Sequence, residues 1–425
     1  MHTFTDLVLL IGTNPLPNYV VAEYFLKTNK ELRNIWLVHS EEVARQVGTR
    51  SQTEHLEKVL KERHPGNSKL PFPLPKVALS NVSNAKEVLR DTNEKLIRSL
   101  PENSRVHLNY TGGTKAMGTH VYRAIEQDTA RSLRKSFSYL DGRNFQIVDD
   151  VNGIINERDL RDEISISFLE LITLHGFKRK NKDADNKGFS CTVAVFKRLI
   201  DEGRLDEYFS EDGGYNRTLF ESKNKPGELA NKISELKEEL NSYIAREPFL
   251  SVIMAMPKDY QLFDANGRFV DLSSNKLCEH AIKFLDGGWL EDYIHTILLH
   301  ELSKSNITVL KDWEIDKDGW TTNFQIDVIL LKGYQLIGIS CTTSQEKHLC
   351  KNKGFEIIHR TRQIGGDEAK AILFTLLDDF QKKALKEELQ LNTGITSGNI
   401  LVLGKDDLKE EILIKCVTDF IHQEV

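Results

Sequence analysis

The chain has 425 residues and a formal net charge of −6 at neutral pH, with 40% hydrophobic and 28% charged residues. At about 150 residues per domain this length predicts two or three domains, and the composition excludes a disordered or fibrous chain. The acidic balance does not attract nucleic acid over the whole surface, so any contact with nucleic acid requires a local basic patch.

The sequence also bears on membranes and on the redox compartment. The longest apolar run near the N-terminus, residues 7–11, is shorter than a transmembrane helix or the hydrophobic part of a signal peptide, so we expect no membrane segment. The five cysteines are odd in number and form no Cys-x-x-Cys pair. We therefore expect neither a disulfide scaffold nor a structural zinc site, and a cytoplasmic location.

Strands and helices alternate over the first 150 residues. The apolar run 6–11 ends at Gly12 and predicts a strand that is buried on both faces. Further strands are predicted at 35–38, 76–79 and 105–110, with helices between them. This alternation predicts an α/β fold in which a mainly parallel, doubly wound sheet has helices on both faces.

Residues 151–280 carry weaker signals and are interpreted as a connector or a small α+β module. The segment 177–187 is rich in Lys, Asn and Asp, which predicts a solvated loop. A helix is predicted after Pro226-Gly227. Asn266-Gly267 predicts a hairpin turn between strands at 260–263 and 268–272.

Residues 281–425 read as a second α/β unit. A helix is predicted from Trp289, followed by strands at 306–310 and 313–315 and a hairpin that turns at Gly333. A basic helix is predicted over 344–362. A buried strand at 371–374, two further helices and a strand at 400–403 complete the unit.

Two segments in the first unit carry possible ligand chemistry, because ligands of doubly wound sheets bind at the carboxyl ends of the strands. The first segment is Gly12-Thr13-Asn14-Pro15, which is also compatible with a simple capped turn. The second is Asn109-Tyr110-Thr111-Gly112-Gly113-Thr114-Lys115-Ala116-Met117. Its glycines and threonines leave backbone N–H groups free at a helix N-terminus, and its lysine suits a phosphate, although a plain glycine-rich turn is the alternative. Neither segment has Walker or dinucleotide-binding spacing.

The second unit contains a carboxylate in an apolar strand. Asp327 lies within Ile326-Asp327-Val328-Ile329-Leu330, and a buried carboxylate is costly unless it is paired or binds a metal. With Glu291 on the preceding helix and the polar end of the next strand, it predicts a pocket of oxygen ligands that suits magnesium or manganese. The alternative is a buried Asp that caps a neighbour and a surface Glu.

A set of basic side chains follows on the predicted helix and is able to hold a phosphate backbone, although such a face is also commonly just solvated. These residues are Lys347, Lys351, Lys353, His359, Arg360 and Arg362.

The two ligand segments resemble the ligand face of CARF domains, the CRISPR-associated Rossmann-like sensors of cyclic oligoadenylates. The C-terminal part resembles the PD-(D/E)xK nuclease domain of CRISPR ancillary nucleases. The matching segments are Gly288-Trp289-Leu290-Glu291, Ile326-Asp327-Val328, Ile339-Ser340-Cys341-Thr342-Thr343 and Arg362-Gln363-Ile364-Gly365-Gly366-Asp367-Glu368-Ala369. The resemblance covers about the first 150 and the last 145 residues.

The resemblance implies a CARF domain at 1–150, a connector at 151–280 and a restriction-endonuclease-like domain at 281–425. It implies a homodimer in which cyclic tetra-adenylate activates a nuclease that cuts DNA or RNA with a divalent metal, manganese or magnesium. The implied ligand-binding residues are Gly12, Thr13, Asn14, Pro15, Ser40, Thr111, Gly112, Gly113, Thr114, Lys115 and Met117. The implied catalytic residues are Glu291, Asp327, Ser340 and Lys351, of which Glu291 and Asp327 bind the metal.

One departure from the nuclease pattern leaves alternatives open. The pattern places an acid, one spacer and a lysine on the second strand, where this chain has Ser340 and Thr342. One account is that the lysine has moved to the following helix, with Lys351 as the candidate, and that Glu291 completes the metal site. The other is a degenerate nuclease in a sensor that recruits a partner. A nucleotide-binding α/β protein unrelated to CRISPR is the third hypothesis, and the active nuclease is the working one.

Overall fold

The computed structural model describes residues 3–42, 47–66, 70–129, 133–181, 188–210, 215, 228–317 and 323–423. Within these ranges, no helix is both long enough and apolar enough to cross a bilayer.

The first half of the chain forms a seven-stranded sheet with the order β3-β2-β1-β4-β5-β6-β7. The strands are β1 (Asp6–Leu10), β2 (Asn34–Ser40), β3 (Lys76–Leu79), β4 (Arg105–Asn109), β5 (Arg134–Asp141), β6 (Gln146–Asp149) and β7 (Gly153–Ile154). The first five in chain order are parallel, whereas β6 and β7 add in antiparallel fashion. Since β2 and β4 lie on opposite sides of β1, the strand order reverses between β1 and β4, and their carboxyl ends open a crevice there.

Helices cover both faces of this sheet, and β1 is therefore buried on both sides. The helices are α1 (Leu16–Thr28), α2 (Arg50–Arg63), α3 (Ala85–Asp91) and α4 (Lys115–Gln127). Leu7 and Leu9 pack in the core with α1 and α2, whereas Val8 and Leu10 pack in a second core with α3 and α4. The predicted α/β class and the doubly wound arrangement are confirmed.

The second half forms a six-stranded sheet with the order β13-β12-β11-β10-β9-β8. Its strands are β8 (Phe177–Arg179), β9 (Ile307–Lys317), β10 (Phe324–Lys332), β11 (Gln335–Cys341), β12 (Lys370–Phe374) and β13 (Ile400–Leu403). Strands β8 to β11 pair antiparallel, and β12 and β13 continue the sheet in parallel. The parallel strands require crossover helices, which the chain supplies between β11 and β13.

The helices after the first sheet are α5 (Leu160–Glu163), α6 (Phe168–Leu174), α7 (Ser190–Asp201), α8 (Leu205–Tyr208), α9 (Glu228–Asn241), α10 (Phe249–Met254), α11 (Asn275–Lys283), α12 (Trp289–Leu302), α13 (Lys347–Gly365), α14 (Asp379–Thr393) and α15 (Glu410–His422). A π-helical turn, Phe284–Gly288, joins α11 to α12. The crossover helices α13 and α14 lie on one face of the second sheet, and α12 lies on the other with α7, α10 and α15.

The structure corrects the loop prediction and shortens the hairpin prediction for the middle of the chain. The segment predicted as a loop from residue 177 begins with strand β8, in which Phe177 pairs with Lys317 and Arg179 with Ile315. The strand lies at the edge of the sheet, where a lysine and an arginine prevent pairing with a further strand. Charged residues are also common in loops, so the composition predicted a loop. The turn predicted at Asn266-Gly267 is present, but its two arms pair over less than the predicted length, through the bridge of Phe263 with Phe269 and two flanking backbone hydrogen bonds.

The middle segment nevertheless packs closely on the second sheet. The Phe196 ring stacks on Trp289 with centroids 4.1 Å apart and planes 8° apart, and Phe189 stacks on Phe284 at 4.0 Å. These aromatic pairs lie in one core with Val328 and other residues of the second sheet. The middle segment thus supports the start of α12. The boundaries near residues 150 and 280 stay a prediction.

The two sheets also share a core. Phe168 of α6 meets Trp313 of β9 edge to face with centroids 4.9 Å apart, and both belong to the same cluster as Leu7 of β1. The Arg161 guanidinium, almost fully buried, lies 3.7 Å from the Phe145 ring centroid and donates to Gln335 Oε1 at 2.8 Å. A continuous packed region therefore connects the two sheets.

We predict that Phe196→Ala lowers the free energy of unfolding by about 3–5 kcal/mol, the usual cost of deleting a fully buried phenyl ring. The matched control is Phe380→Ala on α14, where the ring is 84% exposed, and we expect a change within about 0.5 kcal/mol. Urea unfolding followed by circular dichroism measures both. Equal decreases in the free energy of unfolding of the two variants would contradict the role of the middle segment in supporting the start of α12.

Candidate functional site

The loops that follow β1 and β4 touch at the crevice between these strands. A Cβ placed on Gly12 would lie 2.9 Å from the backbone nitrogen of Gly113, and one placed on Gly112 would lie 2.0 Å from the carbonyl oxygen of Leu10. Gly113 also has φ of 75°, which disfavours other residues. The glycines of both predicted ligand segments are therefore needed for the loops to approach each other.

The hydroxyl groups of the second segment hold the loop in place. Thr111 Oγ1 donates to Asn109 Oδ1 at 2.8 Å and accepts from the backbone nitrogen of Leu140 at 2.6 Å. Thr114 Oγ1 caps α4 by accepting from the backbone nitrogen of Met117 at 3.2 Å. These contacts order the N-terminus of α4, which directs its backbone N–H groups toward the crevice.

The predicted ligand residues differ in their access to solvent. Lys115 lies on the first turn of α4 and is exposed, as is Thr13. Pro15, Ser40 and Met117 are buried and line the base of the region rather than its surface. The remaining predicted ligand residues are half-buried or exposed loop positions at the same edge: Gly12, Asn14, Thr111, Gly112, Gly113 and Thr114.

Asn14 joins this edge to the second half of the chain. Its Oδ1 accepts from the backbone nitrogen of Leu16 at 3.0 Å and lies 3.1 Å from His175 Nε2. Burial lowers the pKa of His175 to about 4, so the imidazole is neutral at physiological pH. A Cβ placed on Gly366 would lie 2.2 Å from Asn14 Nδ2. No local sequence pattern predicts these long-range partners.

The second candidate site centres on Asp327 in β10. Its Oδ2 accepts from the Ser340 hydroxyl at 3.0 Å and from the backbone nitrogen of Cys341 at 2.8 Å. Ser340 lies directly across from Asp327 in the antiparallel register of β10 and β11, because Val328 pairs with Ile339. The structure thus brings Asp327 and Ser340 together.

Glu291 belongs to the same site. It is half-buried on the first turn of α12, and its pKa is raised well above the usual range by burial and by the negative charges of Asp327 and Asp312. Burial also raises the pKa of Asp327, although the Cys341 N–H, Lys353 and Ser340 oppose the rise. The two carboxylates therefore disfavour each other's charge, and a positive charge placed between them would relieve this.

Asp312 is a third carboxylate, which the sequence prediction missed. It lies on β9 across from Asp327, since Trp313 pairs with Ile326 and Lys311 with Val328. Its backbone is left-handed, with φ of 56°, and Gln325 Nε2 donates to its Oδ1 at 2.9 Å. The two short strands predicted here form one strand, β9, whose alternation is interrupted at this residue.

The lysines of α13 point in two directions. Lys351 Nζ lies 3.1 Å from Glu388 Oε2 on α14, and Lys347 pairs with the same carboxylate. Lys353 is exposed, and its positive charge lowers the pKa of both Glu291 and Asp327, against the effect of burial. The predicted Lys351 therefore pairs with Glu388, whereas Lys353, whose Nζ lies 4.0 Å from Glu356 Oε2, is the lysine whose positive charge lowers the pKa of Glu291 and Asp327.

The donor set of this site suits a hard divalent cation with water ligands. Among the described residues, no three His, Cys, Asp or Glu side chains lie close enough together to hold a metal ion by themselves. Magnesium commonly binds one or two carboxylates and keeps several waters, so Glu291 and Asp327 meet its minimum requirement. A cation bound between the two carboxylates would lower their raised pKa values.

Comparisons with known proteins give a likeness of fold. No protein-family model matches the sequence, and no curated protein matches it. Over 98% of both chains, the structure is similar to protein VC1899 from Vibrio cholerae, with a TM-score of 0.67 and 16% identity. Over 89% of this chain and 46% of the other, it is similar to a type III CRISPR defence DNA nuclease activated by cyclic oligoadenylate, with a TM-score of 0.50 and 13% identity.

We predict that Glu291→Gln stabilises the metal-free protein at pH 7–8. The pKa of Glu291 is higher in the folded protein than in the unfolded chain, where a glutamate has a pKa of about 4.3. Above that pH the unfolded chain loses its proton more readily, so the folded state is destabilised as pH rises. The uncharged amide of glutamine removes this destabilisation. The gain in melting temperature over wild type should shrink as pH falls towards 4.

The control for this measurement is Glu62→Gln, an exposed position on α2. Its melting temperature should follow that of the wild type across the same pH range. A gain for Glu291→Gln that stays constant between pH 4 and pH 8 would contradict the electrostatic origin.

Proposed function

We propose that this chain is a metal-dependent nuclease that cyclic oligoadenylate activates, in type III CRISPR antiviral defence. The observation that carries the proposal is the pair of half-buried carboxylates, Glu291 and Asp327, whose pKa values are raised next to the charge of Lys353. Strongly perturbed carboxylates with a specific charged partner are characteristic of catalytic sites. The similar solved nuclease, which cyclic oligoadenylate activates, supports the same kind of function.

In this proposal, Glu291 and Asp327 would hold manganese or magnesium, which would supply the Lewis-acid chemistry for cleavage of a phosphodiester. The Ser340 hydroxyl and the Cys341 N–H keep the Asp327 carboxylate in one orientation. Lys353 stabilises the negative charge that develops on the phosphate of DNA or RNA during cleavage.

The crevice at β1 and β4 is the proposed sensor. The free N–H groups at the start of α4 and the exposed ammonium of Lys115 suit a phosphate of cyclic tetra-adenylate. A cyclic ligand with repeated units matches a pocket built from two copies of the chain, so we propose a homodimer. Binding shifts the nuclease towards its competent state if the ligand has higher affinity for that state.

A second candidate is a non-catalytic cyclic oligoadenylate sensor that recruits a partner. It is favoured by Ser340 and Thr342, which stand where the nuclease pattern has an acid and a lysine. Both hydroxyl groups already have structural roles, since Ser340 donates to Asp327 and Thr342 Oγ1 accepts from the backbone nitrogen of Ser344 at 3.2 Å.

We predict that the wild-type protein cuts plasmid DNA or RNA with manganese only when cyclic tetra-adenylate is present. Asp327→Asn should lower the cleavage rate by at least about a hundredfold, because the cation contributes several kcal/mol to transition-state stabilisation. Calorimetry should give the same ligand affinity for Asp327→Asn as for wild type. The control Asp259→Asn, at an exposed position, should cleave normally.

The outcomes separate the candidate functions. Ligand binding by the wild type without cleavage of either nucleic acid supports the recruiting sensor. Absence of ligand binding supports a nucleotide-binding protein of another kind.

The two lysines of α13 form a second, matched test. Lys353→Ala should lower the cleavage rate of the ligand-activated protein by about 10²-fold or more, as expected when a charge that stabilises the transition state is lost. Lys351→Ala should lose the ion pair with Glu388 and the contact with the Phe355 ring, and it should keep a rate near that of the wild type. The reverse order of rates would return Lys351 to the catalytic role.

A further inference from the structure

A cluster of aromatic rings lies directly beside the proposed sensor loop. Tyr110 immediately precedes Thr111, and its backbone nitrogen donates to the carbonyl oxygen of Ser138 at 3.0 Å. This pairing makes Tyr110 and Tyr139 neighbours, with ring centroids 5.8 Å apart. The contact from the backbone nitrogen of Leu140 to Thr111 Oγ1 keeps both tyrosines next to the loop.

The cluster is held in a fixed arrangement. The hydroxyls of Tyr110 and Tyr122 donate to the two oxygens of the Asp150 carboxylate, at 2.6 and 2.9 Å. The Tyr122 ring stacks on Phe137 with centroids 4.1 Å apart, and it meets Tyr110 edge to face at 5.6 Å. Rings that are oriented before a ligand arrives lose little conformational entropy on binding.

The cluster is also accessible. Tyr139 is 36% exposed, and Tyr110, Tyr122 and Phe137 are half-buried. We call these four residues the tyrosine platform. Full burial would suit a structural core, whereas partial exposure leaves ring surface available to a ligand.

One face of α4 leads from the sensor loop to the platform. Lys115 and Tyr122 are seven residues apart, so they lie on the same helix face at about 10 Å along the axis. Between them, a Cβ on Gly118 would have no atom within 4 Å, so this stretch of the face is open. A cation and aromatic surface separated by open space match a nucleotide, which joins a phosphate to a base.

We propose that the tyrosine platform stacks a nucleobase of the ligand whose phosphate lies at Gly112–Lys115, with Tyr139 as the principal contact. The inference rests on the proposed function, since it adds base recognition to the same sensor site. Stacking on aromatic side chains accepts any base, whereas inorganic phosphate offers no surface to the rings. The platform would therefore select nucleotides over other anions.

Calorimetric titration with cyclic tetra-adenylate tests the proposal. Tyr139→Leu should weaken binding about 5- to 150-fold, the range for loss of one stacked base. Tyr139→Phe should restore near wild-type affinity, because the ring and not the hydroxyl carries the contact. Lys115→Ala should weaken binding through the phosphate, and Phe380→Leu, an exposed ring on α14, should leave it unchanged.

Three results would overturn the proposal. Wild-type affinity in Tyr139→Leu would remove the platform from the ligand site and leave the proposed function standing. Sedimentation that shows Tyr139→Leu to be monomeric, with a wild-type dimer, would make the platform a contact between subunits instead. A wild-type protein that binds no cyclic tetra-adenylate would overturn both the proposed function and this inference.

Discussion

Asp327 accepts hydrogen bonds from the Ser340 hydroxyl and the Cys341 N–H between two strands that are otherwise mostly apolar and buried. Two donors on one oxygen hold the carboxylate in place, and burial makes its charge expensive. The electrostatic interaction of this carboxylate with each neighbouring charge is consequently strong, because little water screens it. The pKa of Glu291 is raised first by its own burial and then by the charge of this fixed carboxylate, and the charge of Lys353 lowers the pKa of both groups.

The position of Glu291 depends in turn on the middle segment. Glu291 lies on the first turn of α12, and the preceding π-helical turn contacts Tyr215, whose hydroxyl donates to Asp286 Oδ1 at 2.9 Å. Thr343, just after β11, donates to the carbonyl oxygen of Asp286, so the same turn also contacts the strand end next to Asp327. Through Tyr215, the middle segment therefore helps to hold the turn that leads to Glu291 next to the end of β11.

Local sequence patterns predicted the helices that bury one apolar face and the strands that are apolar along their length. The strand that ends at Gly12, the helix that begins at Lys115 and the apolar strand around Asp327 were all recognisable, because periodicity and strand-end glycines act over a few residues. The ion pair of Lys351 with Glu388 was not, because Glu388 lies on another helix. Asp312 was also missed, since a left-handed residue inside a strand is set by its cross-strand partners and not by its neighbours in sequence.

The amide of Asn14 has a role in both halves of the chain. It caps the start of α1, meets the imidazole of His175 and leaves no room for a side chain at position 366. These three positions are far apart in sequence, yet a change at Asn14 alters what the other two tolerate. Evolution would therefore substitute them together, and recombination that exchanges the first half between related chains would separate residues that have to be inherited as a set.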